Sequence, residues 1–175
     1  HPYDALLDEF EPEARTKELR SLFASLQTEF VPLIATIQQS SIKAPREILA
    51  RSYPVEQQRQ LSEWIAEQVG FDRSAGRLDV TVHPFCSGIG PGDCRITTRY
   101  NEHAFAEAFF GTLHETGHGI YEQNLSSEDF GTPLGTACSL GIHESQSRLW
   151  ENFVGRSLPF WKANWPKVQG TFKAS

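Results

Sequence analysis

The most constraining feature of this 175-residue chain is a motif of the form H-E-x-x-H between His114 and His118. The motif lies within residues 101–124, which we expect to form one helix. Residues four apart on a helix lie about 40° out of line, one turn along the axis. Both histidines therefore project from one face and are placed to share a metal ion. Glu115 points beside that ion, where a base acting on water is needed.

A chance match on a solvated helix is the alternative interpretation of this motif, and two features argue against it. The helix is otherwise apolar, and buried polar groups without partners are costly. Gly117 inside the helix costs about 1 kcal/mol relative to Ala, which indicates that something approaches the backbone closely there. The apolar residues are Phe105, Phe109, Phe110, Leu113, Ile120 and Tyr121.

A catalytic zinc site needs a third protein ligand and leaves the fourth position open. We predict that Glu144 supplies it, because a loop over residues 126–133 lets a second helix return past the metal. The alternative is a surface carboxylate paired with Arg148 at i,i+4, an interaction worth a few tenths of a kcal/mol. Glu151 lies in the same helical region outside the motif, and we expect it to matter far less for metal retention.

Composition excludes several classes of partner. The chain has 22 acidic and 16 basic residues, a net charge of −6, which argues against nucleic acid and anionic membranes. No apolar run approaches the roughly 20 residues of a membrane span. Three cysteines without C-x-x-C spacing indicate reduced, buried side chains in the cytoplasm, with zinc ligation or a Cys86–Cys94 disulfide as weaker alternatives.

The remaining chain is expected to be helical over residues 1–77, with an amphipathic stripe packed in a core and a kink or break at Pro32. Pro54 is expected to open a helix that closes at Gly70. Residues 156–175 form an aromatic-rich tail, which we expect to pack against parts of an enzyme that the chain lacks.

Residues 78–100 predict a small antiparallel sheet. Its two strands, 78–82 and 94–100, alternate and are rich in β-branched residues. The glycine-rich loop between them suits either a mobile flap or an exposed turn. Asn101 is expected to cap the zinc-binding helices of residues 101–155.

Four linked motifs resemble those of the carboxypeptidase Taq family of zinc metallocarboxypeptidases, and residues 2–7 also look like the family. The resemblance implies that His114, His118 and Glu144 bind Zn²⁺, with Co²⁺ as a substitute, and that Glu115 is the base. The resemblance also implies a homodimer whose chains have about 500 residues, more than one typical domain. The chain thus resembles the central catalytic part of such an enzyme. The motifs are His83–Phe85, Asp93–Thr97, His114–His118 and His143–Gln146.

The expected fold is mainly α, a zincin-like metallopeptidase core with two zinc-bearing helices and the small sheet beside them. The expected reaction is hydrolysis of the C-terminal peptide bond of peptides. Recognition of a free carboxylate needs cationic groups, for which His83, Arg95 and Arg99 are the candidates. The ligand motif alone equally allows an endopeptidase or oligopeptidase. An inactive zinc-binding fragment is a third possibility, although Glu115 argues against it because a structural site needs no base.

Overall fold

The computed structural model describes residues 1–172, which are mainly helical with one small sheet. Residues 1–46 and the residues from Glu47 onward form two compact units. The first unit holds helices α1 (Pro2–Phe10) and α2 (Thr16–Gln39). The second holds α3 (Val55–Gln68), β1 (Arg77–Val80), β2 (Cys86–Gly90), β3 (Asp93–Thr98), α4 (Phe105–Gln123), α5 (Leu140–Arg148) and α6 (Leu158–Thr171), with 3-10 turns at Glu47–Ala50 and Pro133–Gly135 and a π-helical turn at Leu149–Val154.

Helix α2 runs through Pro32 without interruption, so of the expected kink or break the break is wrong and the kink stays a prediction. Pro32 has no N–H to donate to the carbonyl of Thr28, but both residues are exposed, so water can replace the missing donor. The apolar side chains of this helix, including Phe23, Phe30 and Ile37, are also exposed. The stripe is therefore not packed into a core within its unit. None of the helices described for residues 1–172 is long and apolar enough to cross a membrane.

Helix α3 confirms the boundaries expected from its flanking residues. It begins directly after Pro54, and the chain leaves it at Gly70, whose φ of +111° is a conformation that glycine adopts readily. Leu61 and Ile65 are each 1% exposed and belong to the main apolar cluster. The helix thereby supports α4 from one side.

The sheet is mixed, and the expected antiparallel pairing of residues 78–82 with 94–100 is wrong. Its order is β1-β3-β2, with β1 parallel to β3 and Leu78 opposite Ile96. The reason is that residues 83–93 contain a third strand, β2, which pairs antiparallel with the other side of β3. The chain reverses direction twice between β1 and β3, and the two strands consequently point the same way.

The glycine-rich segment contains a strand rather than an irregular loop, and its expected mobility stays a prediction. Residues 86–90 form strand β2, and Gly92, at φ +76°, turns the chain into β3. A bulge between Gly88 and Gly90 interrupts the pairing. Cys86 of β2 and Cys94 of β3 are free thiols whose sulfur atoms lie 3.3 Å apart.

Helix α4 lies between the two apolar clusters of the second unit. Phe109 and Leu113 are essentially unexposed and pack towards α3 and α6. Gly119 lies against Phe71 and Ile96 of the second cluster, where a Cβ atom would approach the Phe71 ring to 2.7 Å. The motif helix is therefore held firmly on most of its circumference, as its apolar sequence predicts.

Helix α4 begins at Phe105, so Asn101 is not its cap. The Asn101 side chain instead accepts from the backbone of His103 in a turn. The Asn101 carbonyl accepts from Gln58 Nε2 at 2.8 Å, and the carbonyl of Glu102 accepts from Tyr53 N at 2.8 Å. Asn101 and Glu102, which the sequence places at the start of the helix, are therefore held by tertiary contacts instead.

The aromatic segment forms helix α6 (Leu158–Thr171), which packs in part within this unit, while its expected packing against parts that the chain lacks stays a prediction. Phe160 is 8% exposed and belongs to the main cluster, and the Trp161 ring lies 5.3 Å from that of Phe109. Trp165 is 37% exposed and only partly covered by its neighbour. Residues 173–175 of the predicted tail lie outside the described residues.

The close approach expected at Gly117 is confirmed. A Cβ atom there would lie 2.5 Å from the carbonyl oxygen of Gln146 and 2.7 Å from Cα of Ser147, both in α5. Only a glycine lets the two helix backbones approach to this distance. This contact sets how near α5 comes to the histidines of α4.

Replacing Gly117 with Ala should destabilise the fold, because the clash is with backbone atoms that cannot rotate away. We expect the free energy of unfolding to fall by about 1–3 kcal/mol, as in other overpacked sites. Gly111→Ala in the same helix is the matched control, since its Cβ meets no atom nearer than Thr98 Oγ1 at 4.0 Å. That control should gain up to about 1 kcal/mol from helix propensity. Equal effects of the two variants in chemical denaturation would contradict the close-packing argument.

Candidate metal centre

The two histidines of the motif project from the same face of α4, as the spacing predicts. Their ring centroids are 4.9 Å apart, and the ring planes are nearly perpendicular. Both side chains are mostly buried, with 19% exposed for His114 and 15% for His118. The pKa of His118 falls to about 4, chiefly through burial and then through its neighbours His143 and His114. A histidine in such surroundings is neutral at pH 7, which is the form that binds metals.

Helix α5 brings Glu144 opposite this pair. Its Oε2 atom lies 3.5 Å from Nε2 of His114 and 3.3 Å from Nε2 of His118. One ligand atom from each of the three residues lies within 4.8 Å of the others. Within residues 1–172, no other set of three metal-binding side chains is brought together in this way. The structure thus assembles the three residues that sequence analysis nominates.

The alternative interpretation of Glu144, an ion pair with Arg148, also describes a real contact. Oε1 of Glu144 accepts from Nε of Arg148 at 2.7 Å, while Oε2 faces the histidines and the hydroxyl of Ser147. The two oxygens therefore serve different partners. Burial opposes ionisation of Glu144, but the hydrogen bonds from Ser147 and Arg148 hold its pKa below the usual value.

The donor set fits a divalent metal, and zinc in particular. Two imidazole nitrogens and one carboxylate oxygen are ligands that zinc accepts, and three protein ligands are typical of a catalytic site. The Nε2 atoms of His114 and His118 both face Oε2 of Glu144, so the three atoms can surround one metal position. No cysteine belongs to this group, so the weaker expectation of thiolate ligation finds no support among the described residues.

Glu115 lies beside this set and is 7% exposed. Burial raises the pKa of its carboxyl to about 7; the nearby His114 opposes that rise, and the carboxylates of Glu144 and Glu151 add to it. The carboxyl lines one cleft together with His114. A group with a pKa near neutrality in a cleft is suited to take up and release protons.

The three candidate substrate-binding residues do not share one location. His83 and Arg99 line the cleft that contains His114 and Glu115. Arg95 is not among its lining residues and pairs instead with Asp93, at 3.1 Å. Arg99 lies four positions after Arg95, which is about 13 Å along an extended chain. Arg99 itself pairs with Glu107 at 3.0 Å.

Three further side chains, none of them predicted from the sequence as part of the site, contact these two histidines directly or through one another. His114 Nδ1 lies 2.9 Å from Oε2 of Glu151, and His118 Nδ1 lies 2.6 Å from Nδ1 of His143. Nε2 of His143 in turn lies 2.7 Å from Oε1 of Glu122. Two signals pointed to them: Glu122 follows His118 by four residues on the same helix face, and His143 directly precedes Glu144. Glu151 had no such signal.

Comparisons with known proteins identify the family of the chain. Residues 1–175 match the family described as carboxypeptidase Taq (M32) metallopeptidase. The chain is 53% identical over 170 residues to thermostable carboxypeptidase 1 of Thermus thermophilus and 47% identical over 169 residues to carboxypeptidase 1 of Bacillus subtilis. Each alignment covers 97% of this chain, but only 33% and 34% of the respective relative.

A solved structure shares the fold as well. The crystal structure of an M32 carboxypeptidase from Deinococcus radiodurans R1 superposes with a TM-score of 0.91 at 40% identity. It covers 98% of this chain, which spans 34% of that structure. The chain therefore corresponds to about a third of the length of these relatives. On the evidence of the match over its whole length, the chain belongs to the carboxypeptidase Taq (M32) metallopeptidase family.

Proposed function

We propose that this chain carries the catalytic centre of a zinc-dependent carboxypeptidase, which removes the C-terminal residue from peptides. One observation carries the proposal. The Nε2 atoms of His114 and His118 converge on Oε2 of Glu144, next to the buried carboxyl of Glu115. This set has ligands on one side and a proton acceptor beside them, which hydrolysis requires and a purely structural site does not.

His114, His118 and Glu144 would hold the metal. When bound, zinc supplies Lewis-acid chemistry that activates water and polarises a peptide carbonyl. The protein's part is to fix the ligands, and the pairing of Glu144 Oε1 with Arg148 helps by restraining the carboxylate. Ser147, which is fully buried, restrains it from the other side through its hydroxyl.

Glu115 is the proposed general base and acid. It takes the proton of the attacking water and passes it to the leaving amine. Its position supports this role, because the residue follows a ligand directly and faces the cleft that a substrate must enter. Burial keeps bulk water away from the carboxyl, so its proton is exchanged with the reacting groups.

The peptide is proposed to bind in the cleft that α4 forms with His83 and Arg99, which lie just outside the strands. Within residues 1–172 strand β2 is an edge strand that pairs with β3 alone, so its other side can form main-chain hydrogen bonds with an extended peptide nearby. His83 and Arg99 line the cleft and are the favoured candidates for the substrate carboxylate. Arg95 is disfavoured by its position outside it. The expected homodimer and cytoplasmic location stay predictions.

The ligand assignment predicts that Glu144→Ala weakens zinc binding by roughly 100-fold or more, since loss of an outer partner alone costs 10–100-fold. Competition with a chromophoric chelator measures the affinity. Glu63→Ala is the control, because that carboxylate pairs with Arg59 and Arg73 and contacts no histidine. Equal zinc affinity of the two variants would exclude Glu144 as a ligand.

The base assignment predicts that Glu115→Gln retains zinc but lowers turnover by roughly 100-fold or more, the scale of a lost general base. Because the relatives are about three times as long, the assay uses a chimera in which this chain replaces the matching segment of the Bacillus subtilis enzyme. Near-normal turnover with full zinc content would overturn the assignment.

Two substrates separate the remaining functions. An N-blocked dipeptide with a free carboxylate reports removal of a C-terminal residue, and an internally quenched, C-terminally amidated peptide reports internal cleavage. We expect the zinc-loaded chimera to cleave the first and spare the second. Cleavage of the amidated peptide would favour an endopeptidase or oligopeptidase, and zinc binding without cleavage of either would identify an inactive zinc-binding chain.

A further inference from the structure

The ring nitrogens that face away from the candidate metal position are both hydrogen-bonded. His114 and His118 direct Nε2 towards Glu144 and Nδ1 towards a second set of side chains. A neutral imidazole has one N–H group and one lone pair, and the nitrogen that binds a metal must offer the lone pair. Each Nδ1 must then carry the hydrogen, and it needs an acceptor in a fixed direction.

For His114 the acceptor is Glu151, whose Oε2 lies 2.9 Å from Nδ1. A carboxylate accepts only, so this contact selects the tautomer with the hydrogen on Nδ1. The orientation of the ring is selected at the same time, because a hydrogen bond to Nδ1 weakens steeply when the ring turns. Glu151 thus restrains His114 in the form that a metal at Nε2 requires.

Glu151 is itself anchored from two sides. Its Oε2 accepts from Nη1 of Arg148 at 3.1 Å, and its Oε1 accepts from Nη2 of Arg156 at 3.0 Å. Burial opposes its charge, but the hydrogen bonds from His114 and Arg156 hold its pKa below the usual value. It lies in the π-helical turn Leu149–Val154, a rare conformation that is frequent at functional sites.

For His118 the restraint passes through a second histidine. Nδ1 of His118 lies 2.6 Å from Nδ1 of His143. Because Nε2 of His118 must keep its lone pair for the metal, Nδ1 is the donor, and the hydrogen of His143 then lies on Nε2. That nitrogen donates to Oε1 of Glu122 at 2.7 Å. The Glu122 carboxylate, at the end of this series of contacts, can only accept a hydrogen bond. With all rings neutral, only one arrangement of hydrogens satisfies every contact.

Packing restrains this second path as well. The ring of Tyr121 meets that of His143 edge-on, with centroids 5.1 Å apart. Gly88 of strand β2 lies directly against Glu122, and a side chain at Gly88 would collide with that carboxylate. The carboxyl of Glu122 is therefore confined between the sheet and α5, and its oxygen stays aimed at His143.

We propose that Glu151 and the pair formed by His143 and Glu122 are positioning residues that hold His114 and His118 in the metal-binding tautomer. The inference rests on the proposed function, because it assumes that both Nε2 atoms are ligands. Neither Glu151 nor Glu122 touches the metal position. Their effect is on how firmly the ligands are oriented, as second-layer partners of metal-binding histidines do elsewhere.

The test compares zinc and cobalt binding by the chain and its variants. Glu151→Ala and Glu122→Ala are each expected to weaken zinc affinity by about 10–100-fold. Glu151→Gln and Glu122→Gln keep an acceptor without its charge, so a smaller loss is expected. The losses should multiply in the double variant, because the two paths start from different histidines. Visible absorption of the cobalt-loaded variants should change with the orientation of the rings.

Glu63→Gln is a closely matched control. Like Glu151, Glu63 is a mostly buried carboxylate paired with two arginines, and its side chain is 22% exposed against 15% for Glu151. It differs in having no histidine partner. The Glu63 and Glu151 variants both remove a carboxylate that is paired with arginines. Only the Glu151 variant also alters a contact with a candidate metal ligand. Zinc affinity and the cobalt spectrum should be unchanged in the control.

The outcomes separate this inference from the proposed function. Unfolding of the metal-free chain verifies that each variant is folded, and the glutamine variants, which keep the shape of the side chain, serve if the alanine variants do not fold. If the unsubstituted chain binds zinc and the Glu151 and Glu122 variants match the Glu63 control in affinity and spectrum, the positioning roles are overturned while the proposed function stands. Failure of the unsubstituted chain to bind zinc overturns the proposed function itself.

Discussion

The metal centre depends on the contact between the backbones of α4 and α5 at Gly117. The ligands come from both helices, and a side chain with only two methylene groups must reach from Glu144 to two imidazole rings. The Glu144 side chain is short, so the two helices must pack backbone to backbone. Position 117 lies against Gln146 and Ser147, and glycine is needed there because a Cβ atom would collide with their backbone. The same glycine lowers the intrinsic stability of α4, a cost offset by the apolar residues that bury the rest of the helix.

Charge around the histidines is arranged in layers. Four carboxylates, from Glu115, Glu122, Glu144 and Glu151, surround the ligand pair, a concentration of negative charge that is unfavourable unless cations accompany it. Two of them are paired with arginines, and Glu122 is paired with His143. Burial is the main cause of the raised pKa of Glu115, and the nearby carboxylates of Glu144 and Glu151 raise it further. A divalent cation at the three ligands would relieve this repulsion, which agrees with the fit of the donor set.

Local sequence was a good guide wherever neighbouring residues decide the outcome. Helical spacing placed His114 and His118 on one face, and the turn-forming loop returned Glu144 to them. It failed wherever distant residues compete for the same groups. Asn101 has the chemistry of a helix cap, yet its carbonyl binds Gln58, so the helix begins later. The sheet was misassigned because pairing partners in β structure are chosen by the whole chain rather than by neighbours.

What the sequence by itself determined is the set of reactive groups: two histidines one turn apart, a glutamate between them and a second glutamate on a returning helix. These groups are close together in the sequence, so helix geometry and one loop are enough to bring them together. Only the tertiary structure decided what lies behind them. Glu151, which follows the end of α5, contacts His114, and Gly88 of strand β2 lies against Glu122 of α4. Such contacts join residues far apart in the chain, and no periodicity in the sequence records them, because they arise from the packing of one element against another.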